Sequence, residues 1–235
     1  TPISENQENL RATYYQELIE GWPRILVRRF VEGERGDIFI GVPRFDLHKL
    51  DELRKDFAEE PGFRGFLRDT GANLLHVKPE ANPDGWVRMW AHPQLSKRYV
   101  IGADVAEGLE GLAYSAAYVL DCDDLSIVAA FHGHLGPELY GHELAKLGRT
   151  YNDALIGVES NNHGLTTLTI LKNLNYSRIF YQPQIQTRNR KQERLGWQTT
   201  TATRPMLIDG IADHLDDGGK IVDAELISEL MTFGI

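Results

Sequence analysis

Cysteine is nearly missing from this sequence: among 235 residues only Cys122 carries a thiol. A lone cysteine closes no internal disulfide and excludes zinc sites built from several thiolates, so a reducing compartment, the cytoplasm, is expected. No apolar run approaches the ~20 residues that a membrane-spanning helix requires, and no membrane role is expected. No GxxxxGK[ST] stretch occurs, which leaves the chain without a visible phosphate-cradling loop for ATP hydrolysis. No secretory leader pattern follows Thr1, and there is no internal repeat or low-complexity tract. Positive charge is scarce as well: 25 Lys and Arg against 34 Asp and Glu give a net charge of -9. That balance argues against a general nucleic-acid coat, because phosphate binding needs cations to displace counterions.

What stands out instead is a pair of short apolar runs, each ending on a carboxylate. One is Tyr99-Val100-Ile101-Gly102-Ala103-Asp104 and the other Ala154-Leu155-Ile156-Gly157-Val158-Glu159. Runs of five or six apolar residues, too short for a helix, predict strands covered on both faces. In an open α/β sheet, groups at the carboxyl ends of such strands look into the ligand crevice. If the two strands are parallel neighbours, about 4.8 Å apart, Asp104 and Glu159 face one small volume. Two carboxylates that close repel unless a cation lies between them, and oxygen ligands suit Mg²⁺ or Mn²⁺.

The rest of the chain supplies a setting for that pair. Residues 1–94 read as a flanking, mainly helical linker region, with helices over Glu8–Glu20, Trp22–Glu34 and Phe45–Glu59 and a loop-rich boundary from Pro79 to Pro93. In the last of these helices Asp46 is the expected N-cap, and Leu47, Leu50, Leu53 and Phe57 the buried face. The second domain, residues 95–235, opens with the Asp104 strand. Tyr114–Leu120 and Ser126–His134 predict two more strands, joined by the turn Asp121-Cys122-Asp123-Asp124 into an antiparallel meander. A helix from Pro137 to Gly148 then leads to the Glu159 strand, which returns parallel to the first. A helix capped by Asn161 or Asn162, a strand at Arg178–Tyr181, and helices at Pro205–Leu215 and Ala224–Phe233 complete the order. Three antiparallel strands, a helix, a parallel strand and flanking helices describe an α/β, RNase H-like mixed sheet.

Two cations held by acids at ~3.5–4 Å can clamp the attacking water and the leaving oxygen of a phosphodiester. On that chemistry Asp104 bridges the two ions and Glu159 binds one. Each acid alone is more often a turn cap or a helix-start carboxylate than a metal ligand; together, on matched strands, they favour the functional reading. His132 and His134 alternate on one strand with His142 near in sequence, a pattern that fits a histidine zinc site but lacks a fourth ligand. His163 is a phosphate donor or a loop residue, and Asn161 and Asn162 are DNA contacts or, preferably, helix caps. Between Asn173 and Pro205 the chain is basic, with Arg178, Arg188, Arg190, Lys191, Arg194 and Arg204 against Glu193. Within it, Gln184–Trp197 reads as a hairpin whose Arg188, Arg190, Lys191 and Arg194 track a DNA backbone, or as a solvated loop. The acidic stretch after Leu207 is its counterpart.

At these residues the sequence resembles the carboxyl-terminal nuclease portion of the large terminase subunit of tailed bacteriophages. The likeness lies in Tyr99–Gly108, in Tyr151-Asn152 followed by Val158–Gly164, and in Leu195-Gly196-Trp197 with Thr203-Arg204-Pro205. Upstream, Trp22 with Arg28–Glu34 is similar to the stretch that leaves the family's ATPase module. The resemblance implies a metal-dependent endonuclease of a DNA-packaging motor, using two divalent cations, Mg²⁺ or Mn²⁺, on double-stranded viral DNA. It implies the portal protein and the small terminase subunit as partners, in the cytoplasm of an infected or lysogenic bacterial host. Asp104 and Glu159 match the first two acids of the family's metal site. Two departures accompany the match. Leu112-Ala113-Tyr114-Ser115 stands where many relatives have Gly-Asp-Tyr-Ser. The family's last acid follows the region matching Ala224–Phe233, and this chain stops at Ile235, with Asp209 and Asp223 as its nearest internal acids. The alternative expectation is therefore a catalytically incomplete module that guides DNA or docks on the capsid.

Overall fold

The structure, a computed structural model, describes residues 43–71, 77–108, 113–161, 163–184 and 192–234. The helices expected at Glu8–Glu20 and Trp22–Glu34 lie outside them. The chain divides into two compact units, Glu60–Gly219 and a second made of Thr1–Glu59 with Lys220–Ile235.

In the described part of the second unit, helix α1 (Leu47–Asp56) begins as its sequence predicts. The Asp46 carboxylate accepts the amides of His48 at 2.9 Å and Lys49 at 3.3 Å, satisfying two of the donors that a helix start leaves without an internal partner. Leu47, Leu50 and Leu53 are buried. Near the other end of the chain lies the helix Ala224–Thr232, capped by the Asp223 carboxylate on the Glu225 amide. Its Ile227, Leu230 and Met231 are buried, and the Phe45 and Phe233 rings lie 5.8 Å apart.

The Glu60–Gly219 unit is built on a seven-stranded mixed sheet. Its strands are β1 (Phe63–Asp69), β2 (Val77–Ala81), β3 (Val87–Met89), β4 (Tyr99–Asp104), β5 (Ser115–Asp121), β6 (Ile127–Gly133) and β7 (Leu155–Val158). They lie in the order β2-β1-β3-β6-β5-β4-β7. All neighbours are antiparallel except β4 and β7, whose register is Val100 with Leu155 through Ala103 with Val158. Helices α2 (Pro137–Thr150) and α3 (Gly164–Asn173) flank β7 in sequence.

Two expectations need correction. The sheet does not begin at the Asp104 strand: residues 63–89 supply three strands, β3 pairs with β6, and the expected boundary near Leu95 falls inside one compact unit. The short, polar β1 and β2 lack an apolar run, and tertiary bonds hold them. Lys146 donates to the Leu67 carbonyl at 2.9 Å and pairs with Glu143, whose carboxylate also accepts the Trp86 indole N–H. Nor is the Asp104 strand covered on both faces. Tyr99, Ile101 and Ala103 are buried, whereas Gly102 and Asp104 are exposed. The apolar run is continuous only because glycine holds the open position at 102.

The covered face carries the core. Ile101, Ala103, Ala117, Val119, Phe131, Ile156 and Val158 join Tyr140, Leu144 and Leu147 of α2 and Leu168 and Leu171 of α3 in one cluster. The two helices pack closely because Gly141 leaves room: a Cβ there would lie 2.8 Å from Ile170. The turn out of α2 uses Asn152 and Asp153, both left-handed at φ 56° and 54°, a conformation that Asn and Asp tolerate best after glycine. Arg149 donates to Asp153 at 2.6 Å, and Asn152 donates to the Gln94 carbonyl at 2.7 Å, which fixes the chain as it enters β7.

After α3 the chain forms a two-stranded antiparallel hairpin, β8 (Tyr181–Gln184) and β9 (Gln192–Leu195). The strand expected at Arg178–Tyr181 reduces to a single parallel bridge between Ile179 and Ile156, and the hairpin starts at Tyr181. Helix α4 (Arg204–Asp216) follows, and the capped helix at Ala224–Thr232 becomes α5.

Leu144 is fully buried between α2 and the sheet. Leu144→Ala should cost about 2–5 kcal/mol, read as a lower urea midpoint. Burial pushes the hydroxyls of Tyr140, Tyr151 and Tyr176 well above their ordinary range, with the Asp104 charge adding to the effect at Tyr140. In the unfolded chain they ionise near pH 10. Above about pH 10 the unfolded state therefore releases protons that the folded state retains, and stability falls as pH rises. Urea midpoints followed upward from about pH 9 should decline, and tyrosinate absorbance from these three rings should appear only with unfolding.

Candidate metal centre

Asp104 is the last residue of β4, and Glu159 follows the last residue of β7. The parallel register pairs Ala103 with Val158, and the Glu159 amide donates to the Ala103 carbonyl at 2.9 Å, carrying the ladder one step further. The two acids are thus next in register on adjacent strands about 4.8 Å apart. They occupy the same sheet face, opposite the helices, because side chains alternate along each strand. Gly102 and Gly157 are register partners just below them on that face. A Cβ on Gly102 would meet nothing within 4 Å, so the floor beside Asp104 is open, whereas one on Gly157 would lie 3.8 Å from Phe180.

Local bonds hold each acid. Asp104 Oδ1 accepts the Val105 amide at 2.8 Å. The following turn is fixed by the buried Ser115 hydroxyl, which accepts the Ala106 amide at 3.0 Å and donates to the Leu135 carbonyl at 3.2 Å. Glu159 is clamped from both sides. Beyond it runs Trp197, whose amide donates to the Val158 carbonyl at 2.8 Å and whose carbonyl accepts the Ser160 amide at 2.7 Å. Gly164 packs so tightly that any Cβ would overlap the Glu159 carbonyl.

Around this centre the other expected residues take definite places. Asn161 neither caps the helix nor stands free for DNA: its amide donates to Glu159 Oε1 at 3.0 Å and to the Thr199 carbonyl at 2.8 Å. The N-cap position of α3 is His163, without a side-chain capping bond; Asn162 lies outside the described residues. His163 Nε2 pairs with Glu107 Oε1 at 3.1 Å, linking the loops that follow the two acids. His132 and His134 do share one side, but they are spent on Tyr114, whose ring stacks on His134 at 3.7 Å and lies 4.2 Å from His132. His142 is exposed on α2.

Asp209 is exposed on α4, and Asp223 caps α5 in the other unit. Among the described residues no group of three His, Cys, Asp or Glu side chains is placed to hold a metal. Of the basic segment, Arg194 lies on β9, where it bonds Gln198 Oε1. Arg188, Arg190 and Lys191 lie outside the described residues. Sequence reasoning missed the Asn161 bonds, the Trp197 clamp and the Glu107–His163 pair. The only signal for any of them was the spacing of Asn161, two residues past the acid.

The donor set suits a hard cation. Two carboxylates share one strand end, and among the described residues neither has a Lys, Arg or His partner. Among the described residues their mutual repulsion is therefore met by no side-chain cation.

No protein-family model and no curated protein matches the sequence. Among solved structures, the large terminase nuclease from thermophilic phage G20c is similar to the chain in three crystal structures with different bound metals. The magnesium-bound form has a TM-score of 0.51 at 18% identity, covering 68% of this chain and 77% of that one. The zinc-bound form also scores 0.51 at 18% identity, over 69% and 86%. The cobalt-bound form scores 0.52 at 18% identity, over 69% and 79%. With its mixed sheet, its β4–β7 parallel pair and its flanking helices, the chain has the RNase H-like fold of the large terminase nucleases.

Proposed function

We propose that this chain is a divalent-metal-dependent endonuclease that hydrolyses phosphodiester bonds of double-stranded viral DNA during genome packaging. One observation carries the reading: Asp104 and Glu159 share one end and one face of the β4–β7 pair, with no cationic side chain beside them among the described residues. The fold supports it, as do the metals bound in the similar nuclease of phage G20c.

Asp104 and Glu159 would hold two divalent cations, Mg²⁺ or Mn²⁺. Bound there, the ions would activate water and offset charge on the departing oxygen of the phosphodiester. The chain's own part is to fix the acids before substrate arrives and to leave them accessible. The ladder bond to Ala103 and the Trp197 clamp hold the Glu159 backbone, the Val105 amide orients Asp104, and the Gly102–Gly157 floor lets a bulky duplex approach. Arg188, Arg190, Lys191 and Arg194 would contact the DNA backbone, giving a salt-dependent, sequence-independent affinity. The portal protein and small terminase subunit would be its partners in the host cytoplasm, and the stretch with Trp22 and Arg28–Glu34 would lead out of an ATPase module.

A second reading is favoured by the lack of a third acid beside the pair among the described residues: a module that guides DNA or docks on the capsid without cutting. The two readings separate on one assay. Supercoiled plasmid with Mn²⁺ should be nicked, chelation should stop the reaction, and Asp104→Asn should abolish it. Salt-sensitive DNA binding without nicking at any Mn²⁺ concentration would establish the docking module instead. Gly102→Val should keep or slightly raise the melting temperature, since glycine in a strand interior costs roughly 0.5–1 kcal/mol. The same substitution should slow nicking by narrowing the floor under the acids.

A further inference from the structure

We propose that Asn161 is a positioning residue: its amide holds the Glu159 carboxylate in the orientation that receives a divalent cation, and ties it to the strand that leaves the β8–β9 hairpin. The inference rests on the cation-site reading above and adds a residue that reading does not use. Both N–H groups of the Asn161 amide are committed, one to Glu159 Oε1 at 3.0 Å and one to the Thr199 carbonyl at 2.8 Å.

The second bond is what makes the first informative. Thr199 sits in a stretch fixed on both sides. The Gln198 amide donates to Gln182 Oε1 on β8 at 2.9 Å, and the Gln198 carbonyl accepts the Thr203 hydroxyl at 2.7 Å. The Thr200 amide donates to that same hydroxyl at 2.8 Å. An amide is planar, so anchoring one N–H on a fixed carbonyl sets the direction of the other. Glu159 Oε1 then has a set position, while Oε2 has no hydrogen bond among the described residues. A glutamate otherwise samples several rotamers, and fixing one before the cation arrives removes that entropy from the binding step. Donors that orient a ligating carboxylate in this way typically influence metal affinity by about 10- to 100-fold.

The two other roles open to an asparagine here make different demands. A helix cap would turn its side-chain oxygen toward the first amides of α3, but the cap position is His163. A DNA contact would need a free amide, and both N–H groups are taken.

The test is Mn²⁺ binding by calorimetry on the whole chain without DNA, for wild type, Asp104→Asn, Asn161→Ala and Asn161→Leu. Leucine keeps the shape of the asparagine side chain without its donors, so it answers for any hole that alanine leaves. Asp104→Asn should abolish binding. Both Asn161 variants should weaken it about 10- to 100-fold, while melting cooperatively in chelator and binding DNA in chelator as wild type does. Unchanged Mn²⁺ affinity in a cooperatively melting Asn161→Leu overturns the positioning role and leaves the cation site standing. Weaker DNA binding in chelator makes Asn161 a DNA contact and overturns it as well, and loss of cooperative melting in both variants marks a purely structural residue. Wild type that binds no Mn²⁺, or binding untouched by Asp104→Asn, overturns the cation site and the positioning role together.

Discussion

The parallel pairing of β4 with β7 is the constraint on which the rest of the Glu60–Gly219 unit depends. Every other neighbouring pair in the seven-stranded sheet is antiparallel. A parallel neighbour requires a crossover, and α2 provides it after β5 and β6 have carried the chain across the sheet. Register then decides chemistry. Because side chains alternate, a slip of one residue between β4 and β7 would turn Glu159 toward the core and Val158 toward solvent. Burial resists that slip: Ile156 and Val158 are fully enclosed under α2 and α3, and Gly157 faces Gly102 across the ladder.

That pairing also explains why the exit of β7 is held so firmly. A strand end normally frays, yet Glu159 has backbone partners on both sides, Ala103 and Trp197. The Trp197 segment arrives directly from the β8–β9 hairpin through Gly196, left-handed at φ 75° and packed near the Val158 carbonyl. The β8–β9 strands and the second acid are thereby parts of one hydrogen-bonded frame. A force on the hairpin would be transmitted to Glu159 through backbone bonds instead of through solvent.

How far the sequence was legible follows from how local each signal is. The β4–β7 pair, the meander of β4, β5 and β6, the helix α2 and the Asp46 cap could all be read from short windows, because apolar runs, proline placement and capping acids act over a few residues. The acids could be read for the same reason, as the residues that end two matched runs. β1 and β2 could not, since Phe63–Asp69 and Val77–Ala81 are largely polar and are held by Lys146, Glu143 and Trp86 from distant parts of the chain. Asn161 was read as a cap because asparagine before a helix is usually one. The competing acceptor, Thr199, lies 38 residues away and gives no local sign. The exposed face of β4 leaves no local sign, because glycine at 102 counts as apolar in a run yet buries nothing.

An acid pair of this kind weighs on the fold that carries it. Two like charges at one strand end repel unless a cation lies between them. Asp104 and Glu159 share one strand end without a cationic side chain beside them among the described residues, so the enclosed core under α2 and α3 has to carry that repulsion in the metal-free chain. A divalent cation reverses the sign of the local interaction, and any ligand that binds only the folded state adds stability in proportion to the logarithm of its concentration. The site should therefore be a net cost to folding without metal and a net gain with it. On that argument the rigid clamps around Glu159 do two jobs with the same bonds: they keep the strand end from fraying under its own charge, and they hold the oxygens where a cation can relieve it.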